Sequence, residues 1–127
     1  MPEGISLYLS NALLNEVTRN VNWTPPAIVY FQAHVGAPGA AMTANVAANG
    51  ARVAVTFAAA AAGQVNISNA PEHILGGTQN ISHGSFWDAP SGGNPLWSSA
   101  ASVAKGGVAG DIIRVSTAAL SLGPIAS

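Results

Sequence analysis

The chain has 127 residues, no cysteine and only 7% charged residues, against about 25% in an ordinary soluble domain. Its formal net charge of −1 gives no basic surface for nucleic acid, so we expect no nucleic-acid partner. The absence of cysteine excludes disulfides, thiolate zinc sites and thiol nucleophiles. The length predicts a single domain over residues 1–127.

The first predicted element is a helix over about residues 6–21. Its apolar side chains recur every fourth residue and form one stripe. These residues are Leu9, Leu13, Val17 and Val21. Ser6 or Ser10 would cap the helix start, and the two following prolines would end it. The stripe faces either the rest of the domain or a partner, and the sequence does not decide between them.

The N-terminus does not have the pattern of a secretory signal, since Glu3 stands where a signal would carry Lys or Arg. The longest apolar tract, near residues 53–62, is shorter than the ~20 residues that a membrane span needs. We therefore expect a protein that is made and kept without secretion or membrane insertion, and that has no membrane partner.

Residues 27–35 predict a half-buried strand, with Phe31 on the core face and Gln32 and His34 on the outward face. A long uncharged loop of Gly, Pro, Ala and Asn follows over residues 36–50. Seven further short strands are separated by Gly, Pro and Asn turns. They are expected at residues 51–57, 64–68, 73–75, 81–89, 95–100, 111–116 and 119–122.

This arrangement predicts a mainly β fold. Short strands at such spacing are typical of an antiparallel sandwich or barrel. We expect an antiparallel β-sandwich of jelly-roll type with one N-terminal α-helix.

Motifs for catalysis or metal binding are weak. The three histidines (His34, His73 and His83) lack the spacing of a metal site. A serine-histidine-aspartate set from Ser82 or Ser85 with His83 and Asp88 would need strand neighbours that point to opposite faces. We therefore expect no catalytic residue, metal or cofactor.

Tryptophans give an alternative to a purely structural protein. Trp23, Trp87 and Trp97 would form a sugar-binding platform if they were exposed. Such residues are more often core or interface anchors. Finding them buried would count against a glycan-binding surface.

Five segments occur in a characteristic order. They are LSNALLNEVTRNVNWTPP, AIVYFQAHVGAPG, TANVAANGARVAVTFAAAAAG, FWDAPSGGNPLWSSA and AGDIIRVSTAALSL. In this order they resemble a family of small bacteriophage virion proteins, especially from phages of actinobacteria, commonly labelled tail fibre or minor structural proteins. The chain departs from that pattern at Ala37, where Asp is common, and at Gly50, where an aromatic residue is common. The resemblance implies a non-enzymatic virion structural protein and carries over no catalytic residue.

The resemblance does not say which part of the virion is meant. Because the chain has neither the heptads nor the repeats that give a fibre its length, we expect a capsid decoration, or minor capsid, protein. It would bind the outside of the major capsid protein shell, stabilise it, and associate with itself as a homotrimer. The alternatives are a tail fibre or tail-tip subunit that attaches to the host surface, and a small hydrolase.

The expected interface combines the long loop with the helix stripe. We expect the loop to be ordered by a neighbour rather than by a core of its own. The predicted contact residues are Val35, Pro38, Met42 and Asn45 in the loop and Leu9, Leu13 and Val17 on the helix.

Overall fold

The computed structural model describes residues 3–122 and is mainly β, with antiparallel strands and a single N-terminal helix among these residues. This confirms the predicted fold class; the jelly-roll connectivity stays a prediction. The elements are α1 (Leu7–Arg19), β1 (Val29–His34), β2 (Val53–Val55), β3 (Gln64–Asn66), β4 (Glu72–Ile74), β5 (Gln79–Trp87), β6 (Pro95–Gly107), β7 (Ile112–Arg114) and β8 (Ala119–Ser121).

The strands form one four-stranded sheet in the order β2-β1-β5-β6 and two two-stranded ribbons, β3 with β8 and β4 with β7. All these pairings are antiparallel. Ribbon side chains such as Ile113 and Leu120 pack against the apolar cluster of the large sheet. The ribbons therefore cover one face of that sheet as a second layer.

An aromatic row forms the centre of this core. Phe31, Phe86 and Trp97 are register neighbours across β1, β5 and β6. The rings of Phe86 and Trp97 stack with centroids 4.5 Å apart, and Phe31 lies 5.5 Å from Phe86. Gly84 makes room for the row, because a Cβ atom at that position would collide with the ring of Phe31.

Helix α1 is anchored at the free edge of β6. The N–H of Ser6 donates to the carbonyl of Leu96 (2.8 Å), and the N–H of Ser98 donates to the carbonyl of Gly4 (2.9 Å). The side chain of Ser6 then caps α1 by accepting from the N–H of Leu9 (3.0 Å). The chain thus passes directly from a short sheet-edge contact into the helix.

The helix ends two residues before the predicted boundary. Asn20 adopts the left-handed conformation (φ 54°), which ends α1 at Arg19. The predicted stripe also divides: Leu9 is buried in the core and Leu13 packs against it, whereas Val17 is 82% exposed. Only the N-terminal half of the stripe therefore faces the body of the protein.

Candidate functional site

The long loop packs on the face of the sheet opposite the ribbons. Met42 is only 2% exposed, and Pro38 is fully buried. Two backbone hydrogen bonds fix the loop. The N–H of Val35 donates to the carbonyl of Asn45 (2.8 Å), and the N–H of Ala47 donates to the carbonyl of Ala33 (3.1 Å). The expectation that the loop has no core of its own is therefore wrong.

The predicted loop contacts divide between interior and surface. Pro38 and Met42 lie inside the protein's own fold. Val35 and Asn45 are exposed, and the side-chain amide of Asn45 donates to the carbonyl of Ala37 (2.9 Å). Only Val35 and Asn45 offer side chains to a neighbour, and the interface role of the set stays a prediction.

His34 connects the loop to the sheet through a buried chain of hydrogen bonds. Its Nδ1 lies 2.8 Å from the carbonyl of Ala44, and its Nε2 lies 2.7 Å from Oγ of Ser85. Because a carbonyl can only accept, Nδ1 carries the proton and the hydroxyl of Ser85 donates to Nε2. Oγ of Ser85 in turn accepts from Nε1–H of Trp87 (2.8 Å). The ring nitrogens of His34, the hydroxyl of Ser85 and the indole nitrogen of Trp87 are thus all paired.

The outward orientation predicted for Gln32 and His34 is wrong, since these residues are only 8% and 0% exposed. The alternation along β1 is correct, but the folded-back loop covers the second face of the strand. A serine-histidine contact of 2.7 Å is also the geometry of an activated nucleophile. Ser85 is likewise 0% exposed, so no substrate reaches this pair, and its hydrogen bonds hold the loop in place.

A second serine-histidine contact lies nearer the surface. Oγ of Ser82 is 2.8 Å from Nδ1 of His83, although these residues are neighbours in β5. The β5–β6 pairing has a register shift between Ile81 and His83, which lets these two neighbouring side chains meet. The predicted third member, Asp88, accepts from Asn94 instead. The carboxylate of Glu3 lies 3.6 Å from Nε2 of His83, beyond hydrogen-bond distance, so it does not orient the imidazole as a catalytic carboxylate would.

Arg52 fixes the hairpin between β5 and β6. Its guanidinium lies 3.9 Å from the centre of the Trp87 ring, and Nη1 donates to the carbonyls of Ala89 and Gly92 (both 2.8 Å). The carboxylate of Asp88 closes the same turn by accepting from the N–H of Asn94 (2.7 Å). Burial lowers the pKa of Arg52, and the charge of Asp88 opposes this shift. The sequence reasoning missed this contact, because Arg52 lies far from the hairpin along the chain.

The tryptophans do not form a shared platform. Trp87 and Trp97 are buried, which counts against glycan binding through them. Trp23 is half-buried, meets the ring of Tyr8 edge-on, and donates from Nε1 to the Tyr8 hydroxyl (3.0 Å). Of the three tryptophans, only Trp23, paired with Tyr8, reaches the surface.

Among the exposed surfaces of residues 3–122, two are candidates for contacts with other proteins. One is a groove of about 600 Å³ between the large sheet and residues 113–119, with Ile81, Val115 and Ala118 among its lining residues. The other lies on α1, where Leu7, Leu14 and Val17 are exposed. Surfaces of this kind suit contacts with other proteins.

Within residues 3–122, no histidine and carboxylate side chains gather in a group that could hold a metal ion. Over the same residues, no helix has the length and apolarity needed to cross a membrane.

Acid is expected to destabilise the fold. Burial lowers the pKa of His34; the hydrogen bond to Ala44 raises it in part, and the charge of His83 lowers it further. Burial also lowers the pKa of His73. The unfolded chain then binds more protons than the native state once the pH falls below about 6.5. The contribution of His34 and His73 to the free energy of unfolding should therefore be constant above about pH 6.5 and decrease as the pH falls further.

Urea unfolding between pH 5 and 8 measures this effect. Nε2 of His73 is buried without a hydrogen-bond partner, so His73→Leu should retain stability at pH 7.5 and lose less of it in acid than the natural chain. An identical loss in both proteins would contradict the assignment to His73.

A protein-family model described as Podophage GP4 fiber I protein gp80 matches residues 4–123. No curated protein matches the chain significantly. The match confirms the resemblance to phage structural proteins, whereas the link to phages of actinobacteria stays a prediction.

Proposed function

The chain belongs to the family described as Podophage GP4 fiber I protein gp80, and from this we propose that it is a non-enzymatic subunit of a bacteriophage virion fibre. The observation that carries the proposal is the extent of the match, which runs over residues 4–123. The family membership makes it a phage structural protein, and the position in the fibre is the proposed part.

The geometry supports a structural role. The best-formed polar cluster, around His34 and Ser85, is sealed and holds the loop against the sheet. The surface carries few charged side chains, among them the Arg114–Glu72 pair, and the net charge is −1. The partners proposed are therefore other copies of the chain and other virion proteins, without nucleic acid, membrane, metal or cofactor.

A capsid decoration protein is the second candidate. Helix α1 has only 13 residues, about 20 Å, and the described residues pack around one apolar cluster. Such a compact shape suits a protein that binds the major capsid protein on the outside of the shell. The longer shaft of a fibre would then have to come from other chains.

Localisation in intact virions tests the proposal. The phage that encodes the chain would carry a C-terminal tag, and electron cryomicroscopy of labelled particles would be compared with untagged phage. Label on fibres at the tail supports the fibre role. Label in many copies over the shell would replace it by capsid decoration, and virions without label would overturn both.

A further inference from the structure

Helix α1 has a second apolar stripe that faces away from the body of the protein. It consists of Leu7, Ser10, Leu14 and Val17, and we call it the outer stripe. The three large side chains are 77%, 61% and 82% exposed, in that order. Their spacing of three, four and three residues places them on one face of a helix. Leu9 and Leu13, which pack on the body, lie on another face.

Burial of the outer stripe would leave no charge or hydroxyl without a partner. Glu16 and Arg19, the charged residues of α1, stand at other positions of the helical repeat, and Glu16 already accepts from the N–H of Trp23 (3.1 Å). The hydroxyl of Ser10 donates to the carbonyl of Ser6 (2.7 Å). These positions can therefore be desolvated without leaving a charge or hydroxyl unpaired. The exposed Asn11 stands four residues after Leu7 and three before Leu14, so its amide lies beside the stripe.

We propose that the outer stripe is a self-association face, covered by the same stripe on a second copy of the chain. When two helices have the same three-four spacing of apolar residues, the side chains of one pack into the gaps between those of the other. The stripe is therefore complementary to a second copy of itself. Copies that meet here bring no like charges together, and the face carries no charge that would select a differently charged partner. This inference rests on the proposed virion role, in which copies of the chain lie close together.

The size of the stripe sets the strength of the contact. Three side chains on a 13-residue helix bury far less than the ~800 Å² per partner of a standard stable interface. The stripe should therefore associate reversibly in solution. On a virion, neighbouring copies are held near each other, and a weak contact is then sufficient.

Sedimentation velocity of the purified full chain over a wide concentration range tests the inference. The test variant is Leu14→Gln with Val17→Gln, because Gln preserves helix propensity. The matched control is Ile28→Gln with Val108→Gln, which removes two exposed apolar side chains that lie neither on α1 nor in the groove (47% and 56% exposed). Circular dichroism and urea unfolding show whether each variant folds.

The natural chain and the control should associate as concentration rises, and the stripe variant should show a dissociation constant raised at least about tenfold. Because the chain has no cysteine, Leu14→Cys, near the middle of the stripe, should also cross-link under oxidation faster than Val108→Cys. A natural chain that stays monomeric, or a control that loses association equally, would overturn the inference. Electron cryomicroscopy of labelled virions tests the virion role independently. A failure of the self-association proposal can therefore be told apart from a failure of the proposed function.

Discussion

Replacing Phe86 by alanine is expected to lower the free energy of unfolding by about 3–5 kcal/mol. The side chain of Phe86 is 1% exposed and lies between the rings of Phe31 and Trp97. Truncation would leave a cavity bounded by aromatic rings on adjacent strands, and the sheet cannot collapse around it without moving β5. A domain of this size has a stability of about 5–15 kcal/mol, so the loss is a large share of the total.

Phe57→Ala is the matched control for that prediction. Phe57 is half-buried and touches the same cluster from its edge, with its centroid 6.4 Å from Phe86 and 5.7 Å from Trp97. Its truncation exposes the site to water rather than enclosing a void, so the cost should be clearly smaller. Urea unfolding followed by tryptophan fluorescence measures both variants. Equal losses would show that the aromatic row is not the centre of the core.

Most strands were predictable because their signals are local, although β6 continues to Gly107, seven residues beyond its predicted end. Alternation of apolar residues within 27–35 and turn residues on both sides predict β1 without knowledge of the remaining chain. The covering of its second face is a long-range effect, in which residues 36–47 fold back over His34. Alternation shows that a strand has two faces but does not show what lies on each, and for that reason the orientation of His34 was wrong.

The helix shows the same limit in another form. Val17 belongs to two apolar series, one with Leu9 and Leu13 and one with Leu7 and Leu14. Periodicity identifies both series as possible contact faces, and only the anchoring of α1 at the edge of β6 decides which one turns inward. The structure assigns Val17 to the outer series, since it is 82% exposed.

The candidate site was the least predictable part. The contacts of Arg52 with the β5–β6 hairpin and of His34 with Ser85 join residues more than thirty positions apart. No local motif marks either contact. Of the predicted interface residues, Pro38 and Met42 lie inside the fold because an uncharged loop can serve as a cover for its own sheet as well as a contact for a neighbour.

Replacing Ser85 by alanine is expected to lower the free energy of unfolding by about 2–4 kcal/mol. The substitution removes a single oxygen atom, so it creates almost no cavity. It also leaves two buried nitrogens without a partner at once, Nε2 of His34 and Nε1 of Trp87, and an unsatisfied buried polar group costs about 1–3 kcal/mol. The hydrogen bond from His34 to Ala44 would then be the remaining side-chain link between that histidine and the loop.

Ser98→Ala is the control, because Ser98 lies directly beside Ser85 on β6 and is also buried. Its hydroxyl has only a long contact of 3.4 Å with the N–H of Gly4, so its loss should cost less than about 1 kcal/mol. Urea unfolding of the two variants at pH 7.5 gives the difference. If both substitutions had the same small effect, the hydrogen bonds of Ser85 would not stabilise the fold. The backbone hydrogen bonds of Val35 and Ala47 and the packing of Pro38 and Met42 would then hold the loop on the sheet.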